Sequence, residues 1–66
     1  MEPRYPNITV VLSDTDGNAF AVLGKMSKAL RQAQIPYPER DAFTAEATSG
    51  DYDHLLQTCM KWVNVE

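Results

Sequence analysis

Two short runs of alternating residues, Ile8–Ser13 and Trp62–Val65, stand far apart in this chain. The periodic stretches between them have the spacing of helices. Any sheet therefore has two strands, and helices form the connection between them. The chain has 66 residues, of which 44% are hydrophobic and 23% charged, a globular composition with room for one core. Area scaling leaves the folded chain with about 4,200 Å² of surface, so the core is marginal. A single cysteine, Cys59, offers no internal disulfide to reinforce it.

Residues 1–7 contain two prolines and no period, and are read as a flexible N-terminal tail. Residues 8–66 are read as a single small α/β domain. In the first strand, Ile8, Val10 and Leu12 share one face, and Thr9, Val11 and Ser13 the other. Asp14-Thr15-Asp16-Gly17-Asn18 breaks it, with Gly17 free to take positive φ and Asn18 placed as an N-cap. A helix follows from Ala19 to about Gln34, with an expected apolar stripe of Phe20, Leu23, Met26, Leu30 and Ala33, widened by Val22 and Ala29. Gly24 inside it suggests the close approach of another backbone. Ile35-Pro36-Tyr37-Pro38 is extended, and Pro38 opens a short helix with Phe43 and Ala47 inward. Gly50 ends it. Asp51 caps a third helix whose stripe is Tyr52, Leu55, Leu56 and Cys59. Trp62–Val65 returns to a strand. The expected fold is α+β, strand–helix–short helix–helix–strand, a two-stranded sheet with helices on one face. If consecutive elements alternate in direction, the strands are parallel.

Net charge is −3, and the six Lys and Arg are scattered, which disfavours nucleic acid as a partner. Lys25, Lys28 and Arg31 share a helix face and read as solvated. No apolar run reaches the ~18 residues of a membrane span. The lone cysteine suits a reducing interior, so the cytoplasm is the expected location. Cys59 on an apolar stripe reads as a small core residue, and His54 as a solvent-facing one.

Val10-Val11-Leu12-Ser13-Asp14-Thr15-Asp16-Gly17-Asn18 resembles the first motif of the haloacid dehalogenase phosphatases. The resemblance would make Asp14 the nucleophile and Asp16 the proton-transfer group, with magnesium between them. It departs at Asn18, and the larger sheet of that family does not fit 66 residues. As an EF-hand opening, the loop lacks glycine at Ala19 and the closing acid at Lys25. If the first and third helices start at the same end, Asp14, Asp16, Asp51 and Asp53 form an acidic cluster suited to Mg or Ca. Capping and helix dipoles explain the same acids without a metal.

Asn18-Ala19-Phe20-Ala21-Val22-Leu23-Gly24 and Ala45–Leu56 look like stretches of a group of small bacterial and phage proteins with no assigned activity. That resemblance implies a bacterial or phage origin and no functional residues. The leading expectation is a small non-enzymatic protein that acts through protein–protein contact or self-association, as a homodimer, without cofactor. Val11, Trp62 and Val63 are its expected interface. The alternative is a minimal acidic metal or phosphate-ester site at the strand–helix loop.

Overall fold

The computed structural model describes residues 2–15 and 17–66. Its elements run β1 (Tyr5–Val10), α1 (Ala19–Gln32), α2 (Tyr37–Ala47), α3 (Tyr52–Trp62) and β2 (Val63–Val65). The two strands pair in parallel and form the α+β fold expected from the alternating runs. Ile8, Val10, Leu12, Val63 and Val65 turn toward the helices, whereas Thr9, Val11 and Asn64 face outward. The accessible surface is 4400 Å², close to the ~4,200 Å² that chain length dictates.

β1 begins and ends three residues before the run Ile8–Ser13. Residues 5–7, assigned to a tail for their proline content, already belong to it. The ladder explains how. Tyr5 pairs with Val63 and Thr9 with Asn64, so four steps on β1 match one step on β2. Pro6 lies in that bulge, where its missing N–H leaves no ladder bond unmade. Before the bulge, Tyr5 stacks on Trp62 at 5.9 Å between ring centroids, and Trp62 meets Phe43 edge-on at 5.5 Å. The Arg4 guanidinium sits 4.8 Å over the indole and bridges to Glu39, which also accepts from the Tyr5 hydroxyl at 2.9 Å. Burial, and next the Glu39 hydrogen bond, raise the Tyr5 pKa above its ordinary value. Sequence reasoning missed this cluster because the prolines hide the strand. An arginine beside a tyrosine, where a solvated tail needs neither, is the only sign of it.

The caps form as expected. Asn18 accepts from Ala21 N at 3.0 Å and Asp51 from His54 N at 2.9 Å. Gly17 takes φ +71°. The α1 stripe forms without its expected ends, Phe20 and Ala33. Val22, Met26 and Leu30 are buried, with Ala19, Leu23 and Ala29 beside them, while Phe20 is 87% exposed. Nothing approaches Gly24 within 4 Å of where a Cβ would lie, so the close contact expected there is absent. At Gly50, by contrast, a Cβ would meet the His54 side chain.

α1 closes at Gln32, two residues short of its expected end. Gln34 N donates to Arg31 O and Ile35 N to Leu30 O, both at 3.0 Å, with Gln34 in the left-handed region at φ 62°. This is a Schellman turn, and Pro36 follows it. An L-residue there costs about 1–2 kcal/mol, of which glycine's backbone entropy takes back ~0.5–1. Gln34→Gly is therefore expected to stabilise by about 0.5 kcal/mol, raising Tm by roughly 3 °C in a calorimetric scan. An unchanged or lowered Tm would contradict it.

Candidate functional site

Backbone groups of alternate residues in a strand point to opposite sides. Glu66 N donates to Val10 O, and Leu12 N donates to Glu66 O, at 2.9 and 2.8 Å. Val10 and Leu12 therefore face β2, and Thr9 and Val11 present their N–H and C=O groups to the other side of β1. That side has no strand among the described residues. One of its acceptors is covered. Lys25 Nζ reaches from α1 to Val11 O at 2.9 Å and is held in place by Asp14. The lysine so blocks pairing at the far end of the edge only. The N–H groups of Thr9 and Val11 have no such cover among the described residues.

Beside this edge runs a hollow of about 250 Å³ between Thr9–Val11 and the α1 residues Lys25, Lys28, Ala29 and Gln32. A second hollow, lined by Lys28, Arg31 and Gln32, adjoins it. Toward the start of β1, Pro6, Asn7 and Ile8 face Ala33 and Ile35 across a third. The first two hollows share Lys28 and Gln32 and form a short channel beside Thr9–Val11, whose α1 wall carries Lys25, Lys28 and Arg31. No charge pattern in the sequence marks it as an edge. The lysine spacing was legible, but what it faces depends on the tertiary fold.

The expected interface residues divide. Val11 is 48% exposed at the end of the open edge. Trp62 and Val63 are instead core residues, 5% and 1% exposed. α3 extends to Trp62, so the indole that was assigned to a strand end turns inward between Tyr5 and Phe43.

The loop before α1 and the first turn of α3 do meet. Tyr52 Oη accepts from Gly17 N at 3.1 Å and donates to Thr15 O at 3.4 Å. The acids are nevertheless locally engaged. Asp14 binds Lys25, whose ammonium holds its carboxyl below the usual range. Asp51 caps α3, and Asp53 accepts from Gln57 at 3.0 Å. Asp16 lies outside the described residues. Among those described, no group of three His, Cys, Asp or Glu is gathered to hold a metal ion.

His54, expected in solvent, is half-buried. Its Nε2 lies 2.9 Å from Glu46 O and 3.1 Å from Ser49 Oγ, and so ties the end of α2 to the start of α3. Cys59 is fully buried, and burial pushes its thiol up to about 11 from 9.0. A thiol that keeps its proton is not a nucleophile at neutral pH. Cys59 is expected to resist alkylation at pH 8 until denaturant is added. Stability is whole below pH 9 and declines as pH rises toward 11, because the unfolded thiol ionises first. Rapid labelling of the native protein would contradict this placement. No helix among the described residues is long and apolar enough to cross a membrane. Comparison of the chain with protein-family models, with curated proteins and with solved structures finds no match.

Proposed function

We propose that the protein is a non-enzymatic contact module that works in the cytoplasm and binds another protein by adding a strand to β1. The observation that carries this reading is the open side of β1, where Thr9 and the N–H of Val11 stand uncovered beside a preformed hollow. A two-stranded sheet is marginal alone, and a third strand extends it. The chemically capable side chains have structural work instead: His54 joins two helices, Cys59 fills the core, and Asp14 and Asp51 hold a lysine and a helix end. A single buried thiol suits the reducing interior. A second copy is the competing occupant of the edge, which makes the homodimer the other form of this proposal.

Val11→Pro separates strand addition from other contacts. Its N–H points away from β2, so the ladder keeps its bonds, and extended Val10 accommodates a following proline. The variant is expected to keep its circular dichroism spectrum and melt. In parallel pull-downs from the source cell it should lose the partner that wild type retains. A partner held equally by both proteins would refute strand addition, and light scattering alongside reads whether that partner is a second copy.

A further inference from the structure

Resting on that strand-addition reading, we infer that the segment β1 accepts is an extended, acidic stretch of another protein. The argument is the charge around the edge. Three of the six Lys and Arg residues, Lys25, Lys28 and Arg31, stand along the α1 wall of the channel, in a chain whose net charge is −3. Among the described residues, no acidic side chain lines these two hollows. The nearby Asp14 is already bound to Lys25, whereas Lys28 and Arg31 have no ion-pair partner among the described residues. A strand laid against Thr9 and Val11 projects every second side chain along that wall, where carboxylates meet Lys28 and Arg31 and lysines are repelled.

The same charges disfavour a second copy. Two β1 edges joined about a twofold axis bring two basic α1 walls together, and like charges across such a contact oppose it. Five of the chain's nine acids lie elsewhere, on α2 and at the start of α3. Affinity for an acidic strand is therefore sensitive to salt, since the basic groups sit at an exposed rim.

The test is a titration of the ¹⁵N-labelled full chain with two end-capped hexapeptides, one alternating glutamate and valine and the other lysine and valine. The glutamate peptide is expected to shift the Thr9 and Val11 amides, and to bind about tenfold more weakly to a Lys28→Glu/Arg31→Glu variant, each rim charge contributing modestly. Both residues are exposed, so the variant folds, and its melt checks this. Equal or tighter binding of the lysine peptide at the same amides overturns the acidic partner and leaves strand addition standing. Failure of both peptides to move Thr9 and Val11 overturns strand addition as well. A mass that doubles with concentration while those amides shift assigns the edge to a second copy and overturns the inference.

Discussion

Replacing Trp62 by alanine is expected to remove about half or more of the protein's stability and to lower its melt by more than about ten degrees. Truncating a buried tryptophan or phenylalanine costs about 3–5 kcal/mol. A domain of 66 residues has roughly 3–10 kcal/mol of stability in all. The indole also joins parts that have little else in common. Tyr5 of β1 stacks on one side, Phe43 of α2 meets its edge, and Arg4 lies over it with Glu39 as counter-ion. Removing it leaves the bulged end of β1 held by the Glu39 contacts of Arg4 and Tyr5 and by backbone bonds such as Arg4 N to Lys61 O. Trp62→Phe keeps a ring between Tyr5 and Phe43 and is expected to remain folded with a lowered melt. The measurement is far-ultraviolet circular dichroism against temperature, with amide dispersion as the second readout. An alanine variant that melts within a few degrees of wild type would return Trp62 to the surface role its sequence position suggests.

The second large effect is a contrast between two glycines. Gly50→Ala is expected to cost about 1–3 kcal/mol, whereas Gly24→Ala is expected to stabilise by about 0.5–1 kcal/mol. A Cβ at residue 50 would lie 2.8 Å from His54 Cγ and 2.9 Å from His54 Cβ. The second of these atoms is fixed to the α3 backbone, so a change of rotamer cannot relieve the overlap. The turn between α2 and α3 must open, which strains the His54 bond to Glu46 O. At residue 24 the same methyl meets nothing within 4 Å and removes glycine's excess freedom from the middle of α1. Paired denaturant melts of the two variants check both signs at once. Equal effects would show that backbone entropy alone governs both positions.

These two glycines also show where sequence reasoning succeeds and where it stops. Local chemistry was readable: Asn18 and Asp51 cap their helices, Pro38 stands in the first turn of α2, which opens one residue earlier at Tyr37, and Phe43 and Ala47 turn inward. What a residue meets across the fold was not. Gly24 looked like the point of close approach because it interrupts a helix, but the neighbour belongs to Gly50. The edge of the α1 stripe failed for a related reason: Phe20 and Val22 were both assigned to it but lie about 200° apart on a helix, and the Val22–Met26–Leu30 row sets the face that packs. β1 was displaced because a bulge accommodates Pro6. Among the candidate acids, the meeting of the two loops through Tyr52 follows from the element directions. The pairing of Asp14 with Lys25, one charge with its opposite, needed the position of α1 over the strand end.

The parallel pairing of β1 with β2 has a consequence for the order of folding. Residues 11–62 separate the two strands, and closing a loop of that length costs about 3.5 kcal/mol beyond its constant part. The turns that join α1 to α2 and α2 to α3 close over only a few residues, so the helices gather first. Contacts as distant as those of β1 and β2 form slowly and late. A contact absent from the transition state governs escape from the native state rather than arrival at it. The sheet is thus a latch set after the helices have met, and substitutions at Val10 or Val65 act on how long the latch holds. While it is undone, β1 has two bare sides instead of one, and Lys25 guards only one of them.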